Sequence, residues 1–195
     1  GLVGTDTFTG ALTRASGENV GTTYAIDQGT LANTNYIINY TGANFAITVR
    51  PINITANTGQ TKIYGEANPT NYTYAVEAAG TNRGLVGSDT LSGALTRASG
   101  ENVGATYAIN QGTLVNSNYD ITYTSANFAI TARPINITAN ASQTKIYGNA
   151  DPTFAYTVEA AGTSRGLVGT DTFSGALTRA AGENVGATYA INQGT

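Results

Sequence analysis

Along most of this chain apolar and polar residues alternate by twos. "PINITAN" sets Ile135 and Ile137 against Asn136 and Thr138, "NYDITYT" sets Tyr119, Ile121 and Tyr123 against Asp120 and Thr122, and "NFAIT" pairs Phe128 with Ile130. "TYAVE" and "TYAIN" do the same with Tyr74 and Val76 and with Tyr107 and Ile109. Successive side chains of a strand point to opposite faces, so this period predicts half-buried strands and a mainly β fold. No segment of ten or more residues keeps a helical period. The one helical turn the pattern admits lies in "EAAGTNRGLVG", and its glycines keep it short.

In "DTFTGALTR" Phe8, Gly10, Leu12 and Arg14 share one face while Thr7, Thr9, Ala11 and Thr13 share the other, which predicts another strand. The following "ASGENVG" predicts the turn into "TYAI", with Gly17 at positive φ and Glu18 and Asn19 on its tip.

The pattern repeats. "GLVGTDTFTGALTRASGENVG" at Gly1 returns with small changes at Gly84 and at Gly166, and "RPINITAN" followed by "QTKIYG" occurs from Arg50 and again from Arg133. A period of this length suits a small domain rather than one coil of a solenoid. Proline cannot donate to a ladder and holds its predecessor extended, so Arg50-Pro51 and Arg133-Pro134 mark the joints. On that phase residues 51–133 form one complete repeat. Residues 1–50 are the C-terminal part of a preceding repeat and 134–195 the N-terminal part of a following one, a window on a longer array.

Composition narrows the chemistry. Nine Lys and Arg against twelve Asp and Glu in 195 residues, with a net charge of −3, are not the profile of a nucleic-acid binder. Hydrophobic residues reach 41%, with twelve Tyr and five Phe, enough for cores rather than a disordered tail. Cys and His are absent, which removes disulfides, thiolate and imidazole metal sites and the Ser-His and Cys-His nucleophile systems. Met and Trp are absent too, and the Thr/Asn/Gly-rich, low-charge profile suits a secreted surface protein. No run near 18 apolar residues occurs, so the chain is expected not to span a membrane.

Several motifs invite chemistry. The glycines of "GALTRASGENVG" match neither a P-loop nor a dinucleotide fingerprint, so Arg14, Arg97 and Arg179 read as covering a core edge and pairing with Glu18, Glu101 and Glu183. The acids are spread through turns without a D-x-D-x-D-G ladder, so no metal ligands are assigned. A calcium site on Asp6, Asp89 or Asp171 with a neighbouring glutamate stays open. Lys62 and Lys145 of "QTKIYG" raise a self-formed isopeptide cross-link; the competing reading is an exposed lysine on an edge strand that discourages sheet-to-sheet sticking, and it is favoured. Sequons at Asn39, Asn53, Asn71, Asn136 and Asn140 matter only in a glycosylating host.

Taken together, "PINITA", "KIYG", "GLVGxD", "LTRAxGENVG", "YAIxQGT" and "ANFAIT" resemble the MBG domain of YGX type. Such domains occur in tandem in large secreted bacterial adhesins and filamentous-haemagglutinin-like surface proteins. The resemblance implies compact, mainly β modules, β-grasp-like, used outside the cell as spacers or adhesive units, with no catalytic residues. The residue pattern alone leaves β-grasp-like and β-sandwich arrangements open. The expectation is therefore a non-enzymatic stalk of small β domains, end to end in an elongated rod kept stiff by an extended strand passing straight through "AITARPINIT", at the bacterial cell surface. The alternatives are a weak multivalent module binding glycans or proteins, and a filament subunit that pairs strands with identical neighbours.

Overall fold

A computed structural model describes residues 1–194; Thr195 lies outside the described residues. The strands in chain order are β1 (Thr13–Arg14), β2 (Thr23–Asp27), β3 (Ala43–Ala46), β4 (Arg50–Ala56), β5 (Gln60–Ile63), β6 (Tyr74–Val76) and β7 (Thr96–Arg97). They continue as β8 (Thr106–Asn110), β9 (Tyr119–Thr124), β10 (Ala126–Thr131), β11 (Ile137–Ala139), β12 (Tyr156–Val158), β13 (Thr178–Arg179) and β14 (Ile191–Asn192). No helix occurs among the described residues, so the fold is mainly β, as the period of two predicts.

The chain forms two compact units. The first comprises Gly1–Thr58, Asn71–Ala98 and Ala108–Asn127; the second comprises Gly59–Thr70, Ser99–Tyr107 and the chain from Phe128 onward. The repeat 51–133 contributes to both.

In the first unit β2 lies between β1 and β3, antiparallel to each, with Arg14 opposite Ile26 and Tyr24 opposite Phe45. β4 is the centre of a second sheet. It runs antiparallel to β6, with Ile54 opposite Val76, and parallel to β9, with Ile52 opposite Ile121 and Ile54 opposite Tyr123. Parallel neighbours need a long crossover, and the 62 residues from Asn57 to Asn118 supply it. Ile52, Ile54 and Ala56 are buried while Asn53 and Thr55 face solvent, the alternation legible in "INITA". Pro51 sits near the start of β4, where its missing N–H costs the ladder least, and its carbonyl accepts from Gly84 N–H at 3.2 Å. Leu95, Ile109, Leu114, Tyr119 and Ala126 are buried in this unit as well, together with Tyr24.

In the second unit β5 runs parallel to β10, β11 pairs with β12, and β13 pairs with β14. Phe128, Ile130 and Tyr107 are buried there.

Three expectations need correction. The strand anticipated over "DTFTGALTR" is reduced to its last two residues, β1, and an isolated bridge between Thr9 and Ala32. Gly10 at φ +81° turns the chain out of the pleat, and a Cβ there would lie 2.1 Å from the Thr30 carbonyl oxygen, so the alternation cannot run through it. The anticipated helical turn in "EAAGTNRGLVG" is a tight β-turn, bridged from Gly80 to Arg83, with Asn82 at φ 61°. Nor does one strand pass straight through the Arg-Pro joints. β3 ends at Ala46 before β4 begins at Arg50, and β10 ends at Thr131 before β11 begins at Ile137.

Candidate functional site

The glycine motif is a seat for a tyrosine. Gly17 has φ +133°, and a Cβ on it would come within 2.4 Å of the Tyr24 ring, so both conformation and close packing require glycine. The Tyr24 hydroxyl accepts from Asn19 N–H at 2.8 Å and donates to Asn19 O at 3.0 Å. The same bonds join Tyr107 to Asn102 and Tyr189 to Asn184. Arg14 closes the seat: its guanidinium lies 5.3 Å from the Tyr24 ring centre, and Nη1 donates to Gly17 O at 2.7 Å. The anticipated ion pairs Arg14–Glu18 and Arg179–Glu183 are present. In the middle copy Glu101 receives Lys62, at 2.6 Å.

Two of the calcium candidates serve a second tyrosine. Tyr119 donates its hydroxyl to Asp89 Oδ2 at 2.5 Å and accepts from Val86 N–H at 2.9 Å. Tyr36 does the same with Asp6 and Val3. "GLVGxD" is thus a loop whose backbone and carboxylate grip a hydroxyl some thirty residues away. Burial raises the Tyr119 pKa, and the Asp89 carboxylate adds to it. Asp171 faces the Tyr64 hydroxyl at 3.4 Å, a hydrogen bond that raises the Tyr64 pKa. Among the described residues no group of three or more His, Cys, Asp or Glu is placed to hold a metal ion.

The two lysines are ion-paired. The Lys62 side chain is 6% exposed, bonded to Glu101 and, at 2.9 Å, to Glu66 O, so it is buried and ion-paired where the sequence suggests an exposed edge lysine. Lys145, 20% exposed, contacts Asn149 O, Asp151 at 3.0 Å and Glu183 at 2.8 Å, and Arg179 also reaches Asp151 at 2.9 Å. Glu183 and then Asp151 raise the Lys145 pKa, while Lys145 and then Arg179 hold both carboxyls below their usual range. An isopeptide needs a neutral attacking amine, and this cluster favours the ammonium. All five sequon asparagines are exposed.

The arginines of the Arg-Pro joints, read in the sequence only as boundary markers, turn out to be clamps. Arg50 donates from Nε to Gly84 O at 2.8 Å and from Nη2 to Gly80 O and Arg83 O, both at 2.7 Å. Arg133 repeats this with Gly166 O at 2.9 Å, Gly162 O at 2.5 Å and Arg165 O at 2.8 Å, and adds Tyr64 O at 3.3 Å. Each clamped turn is braced from behind. Arg83 forks onto Glu77 at 2.8 and 3.2 Å, and Glu77 also accepts from Asn53 N–H at 2.8 Å. Arg165, Glu159 and Asn136 repeat the brace. Arg83 and then the Asn53 N–H hold the Glu77 carboxyl below its usual range, and Glu159 behaves alike. The signal was in the sequence: in both copies Gly-x-x-Arg-Gly follows Arg-Pro by about thirty residues.

The second unit also holds a groove of about 950 Å³, bordered by Gln143, Lys145, Phe154, Tyr189 and Ile191. A smaller cavity of about 220 Å³ lies by Tyr64, Arg133 and Val168.

These features define a class, a tandem array of small β repeats whose recurring polar residues lock turns. The sequence matches the MBG domain (YGX type) over residues 1–46, 52–129 and 135–195, and the chain belongs to that family. No curated protein and no solved structure matches it. No helix of the described residues is long and apolar enough to cross a membrane.

Proposed function

We propose that the chain is a run of non-catalytic spacer repeats from an extracellular bacterial adhesin or surface fibre. In this reading 51–133 is one complete repeat domain, 1–50 the C-terminal part of a preceding one and 134–195 the N-terminal part of a following one. The observation that carries it is the repeated joint clamp. The arginine that ends one copy is bonded to the same three carbonyls of the next at both joints, which ties each joint to the turn that follows it and supports a fixed connection rather than a loose linker. Tyrosine seats and braced turns engage Asp6, Asp89, Glu77 and Glu159 in structural bonds, which supports a mechanical role.

Small-angle scattering on proteins of one, two and three repeats tests this. The maximum dimension is expected to grow linearly with repeat number. Arg133→Ala and Arg50→Ala should broaden the distribution of dimensions without unfolding the repeats. Compaction, or growth with the square root of repeat number, would overturn the reading.

A further inference from the structure

Residues 63–66 form a tight turn of the middle copy. Glu66 N–H donates to Ile63 O at 3.1 Å, and Gly65 stands third in the turn at φ +79°, where a positive φ calls for glycine. The turn is anchored within its own copy, because Tyr64 N–H donates to Thr131 O at 3.0 Å and the Lys62 ammonium to Glu66 O at 2.9 Å. Its other side meets the clamped turn of the third copy. Arg133 Nη1 donates to Tyr64 O at 3.3 Å while Nε and Nη2 hold the Gly162, Arg165 and Gly166 carbonyls. Gly65 lies so close to Val168 that a Cβ would come within 2.6 Å of its Cγ2. Ser164, at φ 59°, donates its hydroxyl to Glu66 Oε1. All these residues belong to the second unit. The corresponding turn at 80–86 has the same clamp and brace, and Asn82 takes φ 61°. Asn82 and Val86 are nevertheless exposed where Ser164 and Val168 are half-buried, so the added cover goes with residues 64–66 and not with the turn itself.

We propose that residues 64–66 are the docking surface on which one repeat receives the next, and that Glu66 selects the incoming turn by requiring a hydrogen-bond donor at the position of Ser164. The occupant is the turn of a following MBG repeat that reads Gly-Thr-Ser-Arg-Gly-Leu-Val or Gly-Thr-Asn-Arg-Gly-Leu-Val, the two versions this chain carries. Both meet the requirement. Ser offers its O–H and Asn its amide N–H, and Asn tolerates positive φ. Asp has the shape of Asn and the same tolerance, but it brings a carboxylate against the Glu66 carboxylate, and like charges so placed reject a partner. The inference deepens the spacer reading and rests on its repeat boundaries: Arg133 ties the joint, and Glu66 chooses what is joined.

Backbone hydrogen exchange in the full chain, read at Glu66, Arg165 and Gly166, tests it together with NMR cross-relaxation between the Gly65 Hα protons and the Val168 methyls. The cross-peak is expected in the native chain. Ser164→Asn should keep it and leave exchange within about twofold, whereas Ser164→Asp should abolish it and speed exchange about tenfold or more. Adding Glu66→Gln to Ser164→Asp sets a donor against an acceptor again and should recover both signals. That rescue separates docking from misfolding, because a chain unfolded by the Asp would not be restored by a change at residue 66. A native chain without the cross-peak, an Asp variant that behaves as the Asn variant does, or a double variant that stays as open as the Asp one would overturn the proposal. Any of these would leave the growth of the scattering dimension with repeat number standing, and compaction in scattering would overturn the stalk while leaving the Glu66 pairing as measured.

Discussion

Identical residues fare differently in the middle copy and in the copies that flank it. Leu95 is 5% exposed and its counterpart Leu12 is 48% exposed; Phe128 is wholly buried and its counterpart Phe45 is 44% exposed. Ile54 is buried where Ile137 is exposed. Yet Tyr24 and Tyr107 are equally buried, and Tyr189 keeps the same hydroxyl bonds. The tyrosine's seat is built from residues five to ten positions away and folds wherever the motif occurs. Leu95 and Phe128 lie in the middle copy, where β5 is laid along β10 some seventy residues away in the chain. Short-range locks are therefore autonomous, whereas burial of the alternating faces depends on a distant segment of the same repeat.

The largest expected break in this comparison comes from the core aromatic. Phe128→Ala should cost about 3–5 kcal/mol, while Phe45→Ala should stay within about 1 kcal/mol. Leu95→Ala and Leu12→Ala form the next pair, with about 2–4 kcal/mol for the first and again less than about 1 for the second. Chemical denaturation followed by tyrosine fluorescence measures both pairs, and equal effects within a pair would remove the distinction. The tyrosine seats should behave oppositely. Gly17→Ala and Gly100→Ala impose the same positive φ and the same ring clash, so each should cost about 1–3 kcal/mol, alike in the two copies.

The smallest effect is one of pH. Glu77 and Glu159 have folded pKa values below the usual carboxylate range, held there first by their arginines and then by a backbone N–H. The unfolded chain therefore takes up these protons first as pH falls. The braces contribute fully above the ordinary glutamate value and are lost as pH falls through the depressed folded values. Asp151 and Glu183 add a similar acid loss in the third copy, where the middle copy has Asn68 in place of Asp151. Carboxyl NMR titration should find all four carboxyls titrating below the free range, and Glu77→Gln should remove only its own step.

Much of the fold was legible. The period of two in "INITA" and "NFAIT" appears as the buried faces of β4 and β10, and Gly17 sits at the positive φ its turn requires. The strand over "DTFTGALTR" was misread because alternation by itself does not register that Gly10 leaves the pleat. The arginine clamps escaped notice because their acceptors are carbonyls, which side-chain patterns do not display.

"QTKI" is the strand β5 at Gln60–Ile63 and no strand at Gln143–Ile146. "YDITYT" is β9 beside β4, while its counterpart "YIINYT" from Tyr36 forms none. The sequence alone determined where the chain turns, which tyrosines are gripped and which side chains would share a face. Only the tertiary structure decided which of those runs became strands, because a strand's backbone groups are satisfied by a neighbour that may lie tens of residues away, and its apolar face is buried only where that neighbour's sheet has formed.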